Sequence, residues 1–179
     1  MKSIILTHSG YQDQEVIYPY HRLREEDHGA FVPVTIAEKV GMIRGYCGTE
    51  ILALYSTYML SDGKWREYDL LVIPGGVKAM EKLRQDNNAL QFIREWDELH
   101  KIIAVMCSGA QMLLSAKIPL GGRRIAAYPA MQVDIENAGA LYFDIPVVTD
   151  QNIVSSPHYK WSAEWMRAAI NLVRPGPAI

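Results

Sequence analysis

An α/β fold with a mostly parallel sheet, covered by helices on both faces, is predicted by three features of the sequence. Short β-branched runs alternate with amphipathic stretches, continuous apolar runs occur at 69–73 and 102–106, and each of those runs stops at small residues. The first strand is expected over Ser3–Thr7. The first helix follows from about Gln14 to Glu26, with Val16, Ile17, Tyr20 and Leu23 on one face. Pro19 lies inside it, and a missing N–H there predicts a kink or a late helix start. Ala30–Val34 reads as a second strand, and 41–60 as apolar-rich strands with turns at Gly45 and Gly48.

Asp69–Ile73 has the continuous apolar character of a buried parallel strand, and Pro74-Gly75-Gly76 opens the loop at its carboxyl end. A helix is expected over Asn88–Leu99, with Leu90, Ile93, Trp96 and Leu99 at helical spacing, and a further buried strand over Ile102–Met106. From Ser108 to Ala116 the period becomes helical. Beyond come a strand near Arg124–Ala127, a short helix from Met131 to Asn137, strands near Val147-Val148 and Ile153-Val154, and a last helix from Tyr159 to Val173. With 179 residues and no repeat or linker, one domain over 1–179 is expected, with a tail at 174–179.

Composition narrows the function classes. Lys and Arg number 18 against 20 for Asp and Glu, leaving no basic surplus for a phosphate backbone, so nucleic acid is not an expected partner. Charges interrupt every apolar run before it reaches the ~20 residues of a membrane span, and the start carries no signal-peptide pattern. A cytoplasmic chain without membrane contact is expected. Cys47 and Cys107 stand far apart in sequence, and His8, His21, His28 and His100 have no paired ligand spacing, so neither a disulfide, a metal nor a cofactor is predicted.

Cys107 falls where the strand ending at Met106 meets the next helix, and Ser108, Gly109 and Ala110 after it are all small. A tight turn there lifts the thiol above the sheet beside a helix N-terminus, where unpaired N–H groups favour a thiolate. The competing reading is a buried structural cysteine. Ligands gather at the carboxyl ends of parallel strands, so the Gly75-Gly76 loop should border the same pocket. Gly75, Gly76 and Ser108 are then candidate backbone groups for a developing oxyanion, the N–H groups of Gly76 and Ser108 in particular.

From Lys2 to about Val173 the sequence resembles the PfpI/ThiJ family of the class I glutamine-amidotransferase-like superfamily. The matching segments are 15–23 (EVIYPYHRL), 68–76 (YDLLVIPGG), 104–111 (AVMCSGAQ) and Ala127-Tyr128-Pro129. The resemblance implies a flavodoxin-like three-layer sandwich, a homodimer or higher homo-oligomer, and a reactive cysteine hydrogen-bonded to a protonated acid of the first helix. Glu15 occupies that acid position and would give and take a proton.

Ser108 stands where many family members have a histidine. This speaks against protease-like activity, and it means that a glyoxalase III or deglycase-like reaction would need another base. His158, after Ser155-Ser156-Pro157, is the expected replacement, because the corresponding family segment borders the cysteine pocket. Cys47 falls in a loop that often supplies a polar or basic pocket residue; it would bind substrate or resolve an oxidised Cys107. Val77 and Pro157 are expected near the pocket, with Tyr18, Tyr46 and Tyr128 at its wall. The predicted function is a cysteine-nucleophile enzyme, hydrolase or lyase, for a small electrophile. The alternatives are a redox-sensing or stress-protective protein whose Cys107 is oxidised without turnover, and a non-catalytic binding subunit.

Overall fold

The computed structural model describes residues 1–26 and 31–174. In chain order the strands are β1 (Ser3–Leu6), β2 (Val34–Ala37), β3 (Gly41–Arg44), β4 (Glu50–Ala53), β5 (Tyr55–Ser56), β6 (Leu70–Ile73), β7 (Ile102–Met106), β8 (Arg124–Ile125), β9 (Leu141–Tyr142), β10 (Val148–Asp150) and β11 (Ile153–Ser156). The helices are α1 (Asp13–Glu25), α2 (Val77–Leu83), α3 (Asn87–Glu98), α4 (Gln111–Ser115), α5 (Gln132–Asn137) and α6 (Ser162–Val173). The central sheet has seven strands in the order β10-β11-β7-β6-β1-β2-β5, and every pairing is parallel except β10 with β11. α1 and α6 pack together against β1, β7 and β11, while α2, α3 and α4 pack as a second group, α3 against β7. This is the expected flavodoxin-like three-layer sandwich.

β1, β6, β7 and β11 are buried along their whole length apart from Ile102, as strands with helices on both faces must be. The chain leaves β1 toward β2 on one side, and β6 then pairs with β1 on the other. The order of connection therefore reverses between β1 and β6, and the crevice above their carboxyl ends is where such sheets bind ligands.

Several expected elements shift. The second strand begins at Val34 rather than Ala30, because Pro33 has no N–H to pair and Phe31 and Val32 are exposed; Ala30 lies outside the described residues. α1 starts early, at Asp13, with the Gln12 side chain capping the Gln14 N–H at 2.8 Å, and it runs through Pro19 unbroken. Leu99 follows α3 and is 52% exposed; Ala89, Phe92, Ile93 and Trp96 form its buried face instead. The segment expected to be helical from Ser108 opens as a 3-10 turn, Cys107–Ala110, before the short α4, and α6 is likewise preceded by a 3-10 turn at Tyr159–Trp161. The end of 41–60 is a 3-10 segment, Thr57–Asp62, not strand. The expected tail beyond residue 174 lies outside the described residues.

The turn after β7 depends on Gly109. A Cβ there would sit 2.4 Å from the Ile73 carbonyl oxygen and 2.9 Å from that of Pro74, both of which are backbone and cannot swing aside. At Gly121 an added Cβ would meet nothing within 4 Å. Gly109→Ala is therefore expected to lower stability by more than about 2 kcal/mol, whereas Gly121→Ala stays within about 0.5 kcal/mol of the parent; chemical denaturation of both variants checks this.

Candidate active site

Met106 ends β7 in extended geometry, and Cys107 then takes φ +55°, a left-handed conformation that costs a non-glycine residue free energy and that the surrounding backbone must enforce. Two contacts do so: the Cys107 carbonyl accepts the Tyr128 N–H at 3.3 Å, and Gly109 presses on the backbone after β6. The thiol is thereby held at the crevice between the loops that follow β1 and β6.

Glu15 comes from the first turn of α1 and is fully buried. Its Oε2 accepts the Gly75 N–H at 2.6 Å, Oε1 has no hydrogen-bond partner, and the carboxyl lies close enough to the Cys107 thiol for each to shift the other's pKa. Gly75 is the wedge between the two. A Cβ at that position would come within 2.7 Å of Glu15 Oε2, 2.9 Å of Cys107 Cβ and 3.0 Å of the Ser108 nitrogen. Only a residue without a side chain lets acid and thiol meet. Gly76 is required for a similar reason, with φ +105° and the Gln12 nitrogen 2.5 Å from where its Cβ would be.

Burial pushes the Glu15 carboxyl up to about 7, against the Gly75 N–H and the Cys107 bond, which both favour the carboxylate. Burial, and then the neighbouring Glu15 charge, push the Cys107 thiol up to about 12; the Ser108 N–H pulls the other way. At the thiol, burial thus works against the helix-end N–H groups expected to favour a thiolate. With both groups raised by burial, the pair favours keeping a proton near neutral pH. A thiolate facing a carboxylic acid and a thiol facing a carboxylate are two placements of that one proton.

An open cleft of about 560 Å³ lies above the pair, bordered among others by Tyr46, Val77, Tyr128 and His158. Three other candidates are elsewhere. Tyr18 lies on the stripe of α1 formed by Gln14, Ile17, Tyr18 and His21, which faces a separate groove beside Lys160 and Ser162. Pro157 is buried and does not line the cleft. Cys47 is exposed in the β3–β4 turn and also outside the cleft wall. That turn is clamped onto α1 by Asp13, whose carboxylate accepts the Cys47 N–H at 2.6 Å and the Thr49 N–H at 2.8 Å, and this brings Tyr46 rather than Cys47 to the rim. Slight desolvation and the Asp13 carboxylate push the Cys47 thiol above its ordinary value, which disfavours an attacking thiolate at that position.

Of the backbone candidates, the Gly75 N–H is occupied by Glu15 and cannot serve an oxyanion. The Ser108 N–H faces the Cys107 sulfur. Gly76 lines the cleft, and its N–H has no acceptor among the described residues. His158 Nδ1 accepts the Lys160 N–H at 3.2 Å, and burial followed by the Lys160 charge holds the ring below its ordinary pKa. A neutral ring that accepts at Nδ1 carries its proton on Nε2, so in this geometry His158 is a donor and not the base expected from the sequence. Gly10, Gln12, Lys78, Glu81 and Tyr159 also line the cleft and were not foreseen. Lys78 and Glu81 belong to α2, whose buried Ala79, Met80 and Leu83 give a helical signal only seven residues long.

Fold and elbow together define a class: α/β sandwiches that carry a cysteine on the turn after a central strand, next to an acid from the first helix. The chain belongs to the DJ-1/PfpI family, whose family description matches residues 1–172. It is 36% identical over 174 residues to a protein named deglycase from Thermococcus kodakarensis, covering 97% of this chain and 100% of that one. Deglycase PfpI of Pyrococcus furiosus is 34% identical over 174 residues with the same coverage. Among solved structures, a two-domain protein from Anabaena variabilis with DJ-1/ThiJ/PfpI-like and ferritin-like domains superposes with a TM-score of 0.85 at 28% identity; 97% of this chain spans 48% of that one.

Because folding raises the Glu15 pKa, the fold favours its protonated form. The contribution is complete below the ordinary value of 4.5 and is lost as pH rises through about 7. Glu15→Gln keeps a neutral group there at every pH. Relative to that variant the parent should lose roughly 2 to 3 kcal/mol between pH 5 and pH 8, read from denaturation curves at both values. Parallel pH profiles for the two proteins would contradict the assignment.

Proposed function

We propose that the chain is a cysteine-dependent enzyme acting on a small electrophile, with Cys107 as nucleophile and Glu15 as its proton partner. The observation that carries this reading is the meeting of the buried Glu15 carboxyl and the Cys107 thiol across Gly75 at the floor of an open cleft, where burial pushes both groups up. Curated relatives named deglycases, alike over 97% of the chain, support cysteine-based turnover over passive binding.

In this reading the substrate's carbonyl, imine or nitrile carbon meets the Cys107 sulfur. As the S–C bond forms, the thiol proton passes to the Glu15 carboxylate, so no free thiolate has to be stored in a buried site. The Gly76 N–H donates to the heteroatom that gains charge, and His158 Nε2–H is a second donor for it. Glu15, now protonated, gives the proton to the substrate heteroatom, or, with an amide, to the amine as its C–N bond breaks, and water then releases the product from sulfur. A carboxyl group with a pKa near the working pH suits both directions of transfer. The absence of a histidine at position 108 is then no obstacle to addition at carbon, because Glu15 supplies the proton transfer.

The test is a turnover screen over amides, isonitriles, 2-oxoaldehydes and their adducts with amines and thiols. Cys107→Ala should abolish turnover, and Glu15→Gln should lower kcat/KM by at least about 100-fold, the usual scale of a lost acid–base group. For the parent protein kcat/KM should rise with pH to a plateau, with a midpoint near 7, since below that value the pair holds two protons and Glu15 cannot accept another. Retained turnover in both variants sinks the proposal.

A further inference from the structure

Resting on the reading of Cys107 as a nucleophile for small electrophiles, we propose that the cleft selects substrates that carry a carboxylate near the electrophilic carbon, and that Lys78 is the group that holds it. Lys78 lies in the second position of α2, and its side chain lines the same cleft as Cys107. Gly10, on the loop after β1, makes room for it: a Cβ there would come 3.1 Å from Lys78 Cγ and 3.2 Å from Cδ, and the residue has φ +92°. The aliphatic stem therefore lies against the β1 loop, and Lys78, though exposed, is part of the cleft wall.

The other charged groups around the cleft sharpen the point. Glu15 is at the floor, tied to Gly75 and Cys107, and Glu81 stands one helical turn beyond Lys78. His158 is neutral, and the remaining wall includes Val77, Tyr46, Tyr128 and Tyr159. Among the described residues Lys78 makes no hydrogen bond or ion pair, with Glu81 or any other group, and it is the cleft's one fixed positive charge. An anionic substrate entering beside two carboxyl groups needs a counter-charge, and only Lys78 offers it. A neutral electrophile gains nothing from it.

Iodoacetate and iodoacetamide form a matched pair of probes, equal in shape and differing by one charge. Each alkylates Cys107 as the S–C bond forms, the C–I bond breaks, iodide leaves and the thiol proton passes to Glu15 or water. Rates at Cys107 are measured by intact mass in a Cys47→Ala background, which removes the exposed second thiol. Lys78→Met should lower the iodoacetate-to-iodoacetamide rate ratio by about fivefold, the scale of one partly exposed ion pair, with the iodoacetamide rate unchanged. Lys78→Arg should keep the ratio, and Glu81→Gln should raise it. An unchanged ratio in Lys78→Met, or an equal fall in both rates, overturns the proposal. Alkylation requires no turnover, so a chain that failed every substrate screen would still give this answer.

Discussion

A carboxyl group buried against a thiol is unfavourable for charge, and much of this chain's local architecture makes that contact possible. Glu15 is drawn from the first turn of α1, Cys107 from the turn after β7, and Gly75 from the loop after β6; they meet because the middle strands of the sheet are adjacent. The positive φ of Cys107 and the absent side chains at 75, 76 and 109 are the local costs of that meeting. The return is an acid and a thiol brought together at the floor of the cleft, both pushed up by burial, as the proposed chemistry requires.

Around this pair the fold separates rigid from adaptable parts. The floor consists of backbone from three parallel strands whose residues are almost wholly buried, so its geometry is fixed by hydrogen-bonded ladders. The rim is made of side chains on connecting segments: Tyr46 on the hairpin turn, 80% exposed, Val77 and Lys78 at the start of α2, Tyr128 before a 3-10 turn, and His158 before α6. The proposed chemistry thus resides on the scaffold, and the proposed selectivity on segments that can change without disturbing it.

The layered fold was legible in the sequence where apolar runs were continuous. β7 falls on the expected residues and β6 differs by one, because strands buried on both faces need an uninterrupted apolar string. Legibility failed where the deciding contact was distant. β2 was misplaced because Phe31 and Val32 look like strand residues, yet pairing with β1 starts only after Pro33. α2 is too short for periodicity to register, and with it went Lys78 and Glu81. At the site, the strand-to-helix turn pointed to Cys107 from local sequence, whereas the partnership with Glu15 came through family resemblance, since no local pattern links positions 60 residues apart, as Glu15 and Gly75 are. Tyr18 and Cys47 were misassigned for a related reason: a helix face and a clamped turn decide which of several neighbouring residues reaches the cleft, and Asp13, which sets the turn, carried no motif of its own.

The shared proton can be observed directly. In protein labelled with carbon-13 at the glutamate side-chain carboxyl, one resonance, assigned by its loss in Glu15→Gln, should titrate with a midpoint near 7, and it should move upward in Cys107→Ala, where the bond that favours the carboxylate is gone. A Glu15 midpoint near the ordinary 4.5, indifferent to removal of the thiol, would contradict the account.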